Sequence, residues 1–200
     1  MTIRKGEDWG SSEPVPDDAV VVASDRDAAE VAASHRRANT PIPPMLLTGG
    51  DLARTLGGGG ARPSERRTHL VVDLGAVLLD GKLQWFVAHL VARRSWLLGR
   101  VLVVANAAFM GEWNVAPRAH PGDGRLDLLD GDPSFGDRLK ARRRLPLGTH
   151  VPHPAIAVRR TDAAQIDLES PTPIRLDGHP VGSARSISVR VEPSALDIWI

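Results

Sequence analysis

Residues 102–130 read LVVANAAFMGEWNVAPRAHPGDGRLDLLD, and the fold turns on this stretch. It opens on Leu102-Val103-Val104-Ala105, an apolar run that predicts a short buried strand. Asn106 interrupts it, Phe109-Met110-Gly111-Glu112-Trp113 makes a bend, and Pro121-Gly122-Asp123-Gly124 is rich in turn formers. A second strand is expected at 126–129, with Asp127 and Asp130 near its ends. Working outward, 70–79 is an apolar run, and the Asp80-Gly81 hairpin signal leads from it into another at 83–87. Residues 95–100 read as a basic, tryptophan-bearing turn, and 135–145 as a basic helix or turn. Short strands are expected at 155–159, 164–168, 174–176, 186–191 and 196–200. Many short strands separated by Gly and Pro turns predict a β-sandwich-like domain over 66–200.

The chain before it alternates differently. Ala19-Val20-Val21-Val22-Ala23 predicts a strand, and Ser24 or Asp25 can cap an alanine-rich helix reaching Ala38. Pro41, Pro43 and Pro44 stop that helix before Met45-Leu46-Leu47, a second short strand. Thr48-Gly49-Gly50-Asp51 turns into a brief helix at 52–56, and Gly57 to Gly60 begin a linker. Residues 19–62 are thus expected to form a partial, Rossmann-like α/β layer, preceded by an irregular arm over 1–18. The fold class predicted is α+β.

Composition narrows the function classes. The 200 residues carry a net charge of +1, which gives no steer toward nucleic acid, so no nucleic-acid partner is expected. There is no cysteine, hence neither disulfide nor thiolate metal site. No apolar run approaches the ~20 residues of a membrane span. The polar opening MTIRKGEDWG lacks the apolar core of a secretory signal, so a cytoplasmic protein is expected.

Val104-Ala105-Asn106, Gly111, Ala116-Pro117-Arg118-Ala119 and Asp123-Gly124-Arg125-Leu126-Asp127 together resemble the second domain of the diacylglycerol kinase and sphingosine kinase-like lipid kinases, bacterial members especially. The family pattern there is V-A-N-G-x-x-x-G-G-x-x-x-A-P-x-A-x-x-D-D-G-x-L-D. Upstream, residues 47–57 (LTGGDLARTLG) are similar to the family's G-T-G-N-D-L-A-R-x-L-G, and 22–27 (VASDRD) fall where it carries V-G-G-D-G-T. The family sequence that precedes this point is not matched, so a shortened member is expected.

The resemblance implies a set of site residues. In the family, the G-G-D-G-T loop lets backbone amides approach nucleotide phosphates. Here Ala23-Ser24-Asp25-Arg26-Asp27 has no glycine, and only Asp25 is kept by position. Thr48, Gly49, Gly50 and Asp51 match the second nucleotide element, although Gly50 replaces its asparagine; a plain strand-to-helix turn is the other reading. Asp123, Leu126 and Asp127 match a turn that helps hold magnesium, or else form a self-capped Asp-Gly turn. Asp177 matches the catalytic base of a late D-G-E turn, the glutamate having become His179; alternatively Asp177-Gly178 serves its own hairpin, in which case Asp177→Asn would be nearly silent. His150 and His153 have no acidic or thiol partner nearby in sequence and do not suggest zinc.

The function expected is a lipid-kinase-like protein that is non-catalytic and binds a lipid or a protein partner, with no firm cofactor. The alternative is an active lipid kinase using ATP and Mg2+ through Asp51, Asp123, Asp127 and Asp177. Arg93-Arg94, Arg100, Arg138, Lys140 and Arg142-Arg143-Arg144 either face an anionic lipid headgroup or membrane surface, or are simply solvated. Trp85, Trp96 and Trp113 either line a lipid cleft or fill the core. The strands at 19–23 and 45–47 are expected to need an edge partner: a second copy in a homodimer, another chain, or the 1–18 arm.

Overall fold

A computed structural model describes residues 9–58 and 66–200, so the 1–8 part of the arm and Gly59-Gly60 of the glycine run lie outside the described residues. The chain enters on β1 (Ser11–Pro14) and β2 (Val20–Val22), then α1 (Asp25–Ala38), β3 (Met45–Leu47) and the short α2 (Asp51–Thr55). There follow β4 (Arg66–Leu79), β5 (Lys82–Phe86), β6 (His89–Arg93) and β7 (Val101–Ala105). A small pair, β8 (Phe109–Met110) and β9 (Trp113–Asn114), precedes β10 (Leu126–Gly131) and α3 (Phe135–Arg144). A 3-10 turn, Leu145–Leu147, leads to β11 (Ile156–Thr161), β12 (Ala163–Leu176) and β13 (His179–Trp199).

Local chemistry accounts for these elements. Ser24 Oγ accepts from the Asp27 amide at 3.2 Å, Asp25 and Asp27 favour the positive end of α1, and His35, Arg36 and Arg37 favour its negative end. Asn39 closes the helix in the left-handed region at φ 54°. Ala28, Ala29, Ala32 and Ala33 give α1 a flat buried face that lies on the sheet. Both hairpin turns have two left-handed residues, Asp80-Gly81 (φ 46° and 83°) and Asp177-Gly178 (φ 47° and 78°), the primed geometry that suits twisted strands.

Eleven strands form one continuous ladder. On the helical side, β2 and β3 run parallel, β3 runs parallel to the end of β13, and β13 pairs antiparallel with β4, whose start pairs with β1. The other ends of β4 and β13 carry β5 and β12, and β12 hands on to β6, β7, β10 and β11. These strands fold over a second core built on Phe86, Leu90, Leu102, Leu126, Ile174 and Ile187, the predicted β-sandwich. Gly75 is required there: a Cβ would stand 2.3 Å from the fully buried Phe86 ring.

Three expectations are corrected. The arm is not irregular throughout, since Ser11–Pro14 is an edge strand; its exposed polar residues suit a strand whose outer side faces water. It covers β4 rather than β2, and β2's outer edge has no strand partner among the described residues, with Val21 66% exposed. The short strands expected over 164–200 are two long ones, β12 of 14 and β13 of 21 residues. Pro171, Pro173 and Pro193 read as breaks, but the register slips at bulges beside them and the strands continue.

Candidate functional site

Three carboxylates converge where β3 enters α2. Asp25, 7% exposed, leaves the start of α1 and turns onto the next helix: its Oδ2 accepts from the Asp51 amide at 2.6 Å and its Oδ1 from the Leu52 amide at 3.0 Å. It caps α2, whose own N-cap residue Gly50 supplies no side chain. Gly50 sits at φ 101°, and a Cβ there would lie 2.5 Å from Asp25 Oδ1. Gly49 passes so close to β2 that its Cβ would be 2.7 Å from the Ala23 carbonyl, while Thr48 Oγ1 donates to the Val22 carbonyl at 3.1 Å.

Asp51 reaches away from this cap, accepting from the Gly111 amide at 2.6 Å, with His89 Nδ1 3.7 Å from its other oxygen. Asp177 arrives from the β12–β13 turn. Its carboxylate accepts three successive amides of the β5–β6 link, Val87 at 2.9 Å, Ala88 at 2.8 Å and His89 at 2.9 Å. So Asp177 does not serve its own hairpin; it clamps a segment 90 residues away.

Electrostatics follow from this crowding. Burial, and then the Asp177 charge, push Asp25 up to about 7 against two amide donors that favour its ionised form. Burial pushes Asp177 up to about 6, again against its three amides. Burial holds His89 down at about 4 despite Asp51, so the ring is neutral and its Nε2–H donates to the Ala107 carbonyl at 2.9 Å.

The predicted metal residues form a separate centre. Asp127 and Arg160 are opposite each other in the β10–β11 ladder. Arg160 Nη2 donates to Asp123 Oδ2, and its Nε lies 3.5 Å from Asp127 Oδ2. Leu126 is fully buried in the sandwich core. Asp73, 1% exposed, holds the same turn through the Gly124 amide at 2.7 Å and β13 through the Ser194 amide at 2.8 Å. Asn106 links the two centres: its fully buried amide donates to the Asp73 carbonyl at 2.9 Å and to that of Val87 at 2.8 Å.

A third feature is apolar. Trp96, Val103, Trp113, Leu129 and Ile156 line a cavity of about 130 Å³ beneath α3. The two tryptophans meet edge to face at 5.9 Å, and Arg93 lies 4.1 Å over Trp96. His150 closes the cavity, 6% exposed and kept neutral by burial, its Nε2 3.1 Å from the Val115 carbonyl and its Nδ1 without a partner. Trp85 instead packs under α1. Of the basic residues, Arg100 pairs with Asp130, Arg138 is buried against Asp132 and loop carbonyls, and Lys140 pairs with Asp137; Arg142, Arg143 and Arg144 stay exposed on α3.

A nucleotide and its metal can be tested against this geometry. The start of α1 is capped by Ser24, and the amides of α2 that a phosphate would use are held by Asp25. Arg160 stands between the carboxylates that would take magnesium. Neither group fits the residues as they are arranged. Among the described residues, no cluster of three or more His, Asp or Glu side chains could hold a metal ion. No helix among them is long and apolar enough to cross a membrane.

Sequence reasoning missed His89, Asp73 and Arg160 as site residues and quoted Asn106 only as part of a pattern. For His89 and Asp73 a signal existed, a lone polar residue inside an apolar run, which burial makes costly unless it is bonded.

The family profile for the YegS C-terminal NAD kinase beta sandwich-like domain matches residues 76–200. No curated protein matches the chain. Among solved structures, a diacylglycerol kinase from Bacillus anthracis str. Sterne superposes with a TM-score of 0.56 at 12% identity, over 78% of this chain and 66% of that one. Two candidate diacylglycerol kinases from the same organism give 0.62 at 11% identity (88% of this chain, 83% of that one) and 0.64 at 12% (90% and 77%). At these identities the likeness speaks for the fold.

Proposed function

Since the chain belongs to the family of the YegS C-terminal NAD kinase beta sandwich-like domain, we propose that it is a diacylglycerol-kinase-like protein that has lost phosphoryl transfer and binds a lipid or a protein partner. The observation that carries this reading is the Asp25 carboxylate on the α2 amides. A carboxyl group already fills the place a phosphate would take, and Asp51 and Asp177 surround it with further negative charge. The glycine-free loop at 23–27 supports the same conclusion, because its Cβ atoms obstruct close backbone approach.

The apolar cavity and the three exposed arginines of α3 above it support a lipid as the bound partner. The cavity is close in size to one that holds a benzene molecule, so it takes the end of an apolar chain rather than all of it. Arg142, Arg143 and Arg144 would each add about 1 kcal/mol against an anionic surface. The edge of β2 that has no strand partner among the described residues supports a second copy, or another protein's strand, as the protein partner.

Calorimetry with ATP and Mg2+ tests the reading. A dissociation constant no tighter than about 1 mM, or ~4 kcal/mol, is expected, and a low-micromolar value overturns it. Flotation with vesicles containing phosphatidic acid should retain the protein, and Arg142→Glu with Arg143→Glu should release it. One observation favours the active alternative: Asp177 titrates at about 6, a suitable value for a general base. Transfer of radiolabel from ATP to a diacylglycerol or long-chain base, abolished in Asp177→Asn, would establish that alternative.

A further inference from the structure

A groove of about 400 Å³ lies between α1, β5 and the turn that joins β12 to β13, and Trp85 lines it. Arg26 Nη1 stands 2.5 Å from His179 Nδ1 across this groove. A guanidinium can only donate, so Nδ1 accepts and the imidazole proton sits on Nε2. Both residues depart from the family's pattern: Arg26 stands at a glycine of G-G-D-G-T, and His179 at the glutamate of D-G-E. Among the described residues, neither the His179 Nε2–H nor the Gln84 side-chain amide has a hydrogen-bond partner. Arg37 has no hydrogen bond and no ion pair there either; its guanidinium lies 5.7 Å from the centre of the Trp85 ring. The carboxylates nearby are already engaged. Glu30 pairs with Arg26 at 2.6 Å, and Asp177 accepts its three amides. Arg37 is thus an uncompensated cation over an aromatic ring, with two further unused donors on the same walls.

We infer that this groove binds an organic oxyanion, a carboxylate or a phosphate monoester carried on a small apolar body. The planar fork of Arg37 matches either group through two parallel N–H bonds. Gln84 and His179 Nε2 add neutral donors, and Trp85 and Val181 give the apolar body a surface to lie on. The Arg26–His179 contact fixes the imidazole tautomer that can donate to the ligand. The groove is of small-molecule size. It uses neither the α2 amides that Asp25 holds nor the arginines of α3, so the inference stands apart from the reading of nucleotide and membrane surface given above.

The test titrates the full-length protein with phenyl phosphate, with phenylacetate and with the neutral benzyl alcohol. The Trp85 indole N–H is followed in 15N-correlated NMR spectra, and Trp85→Phe identifies its signal. At least one charged probe is expected to shift that signal with a dissociation constant of about 1 mM or tighter, and benzyl alcohol to leave it in place. The tighter of the two charged probes tells phosphate from carboxylate. Arg37→Gln, at an exposed position, should weaken binding about ten- to hundredfold. His179→Glu should abolish it by setting a carboxylate beside Arg26. Glu30→Gln frees Arg26 from its ion pair and should tighten binding about two- to fivefold, a gain that loss of folding cannot imitate. Flotation with phosphatidic acid vesicles identifies the source of the oxyanion. Arg37→Gln floating as wild type does assigns the groove to a soluble anion, and its release assigns the groove to a lipid headgroup. The inference is overturned if neither charged probe shifts the signal at about 10 mM, or if benzyl alcohol binds as tightly as they do. It is equally overturned if Arg37→Gln or Glu30→Gln binds as wild type does.

Discussion

The two carboxylate centres solve one electrostatic problem in opposite ways. Around α2, Asp25 and Asp177 are stabilised by five backbone amides and no cation. On the β10–β11 side, Asp123 and Asp127 are stabilised mainly by the guanidinium of Arg160. Amide donors are fixed by the fold and cannot leave, so the first centre is held by the backbone itself. A side-chain cation can be removed by one substitution, so the second centre is the one a single change can leave unbalanced.

The largest effect should come from breaking the amide-held centre at its longest reach. Asp177→Ala strands the amides of Val87, Ala88 and His89, and at ~1–3 kcal/mol for each unsatisfied donor a loss of roughly 3–5 kcal/mol is expected by urea denaturation. Asp177→Asn should lose about half as much, because one acceptor oxygen becomes a donor facing donors. A near-silent Asp177→Asn would show that the clamp contributes nothing. Next, Gly50→Ala should cost about 2–3 kcal/mol, since it combines a left-handed backbone at φ 101° with a 2.5 Å approach to Asp25. The amide-held centre alone should respond to it, visible as faster hydrogen exchange at Asp51 and Leu52.

Arg160→Met should lose about 2 kcal/mol, below the figure for a fully buried pair because the arginine side chain is 29% exposed. The smallest effect is that of pH. Asp25 binds a proton up to about 7 in the folded chain but only near 3.8 when unfolded, so its ionisation subtracts stability as pH rises through 7. Asp177, at about 6, acts in the same direction. His89 works the other way between about 4 and 6.5, where the unfolded chain gains a proton that the folded chain refuses. Between about pH 4 and 6 the two carboxyls outweigh the single histidine, so the net trend is downward there as well. From 6.5 to 7.5 Asp25 dominates, and stability should fall by about 0.5 kcal/mol. Urea midpoints across that interval should fall in wild type and stay level in Asp25→Asn.

How far this was legible in the sequence differs by region. The α/β segment was readable because its signals are local: Ser24 caps, the alanines give a flat face, and the prolines stop α1 before β3. The sandwich was readable as a class but not in its strand lengths, because a proline at a bulge looks the same in sequence as a proline ending a strand. Asp25, Asp51 and Asp177 were named by motif, and the structure does bring them together. Their partners were not readable, because an aspartate that caps its own turn and one that clamps amides 90 residues away have the same neighbours in the chain. Arg160 is one arginine in an exposed-looking run, and only the cross-strand register reveals what it faces.

β13 also sets the order in which the molecule can be assembled. Its Ile198 and Trp199 are the residues that pair with β3, while its earlier residues pair with β12 inside the sandwich. During synthesis, then, β2 and β3 wait as an unsupported pair until residues 198 and 199 have been made, more than 150 positions later. Such distant closure slows folding and lengthens the time in which the β3 edge at Met45 and Leu46 is open to other chains. A chaperone that shields that edge on the ribosome would raise the yield of native protein more than one acting after release.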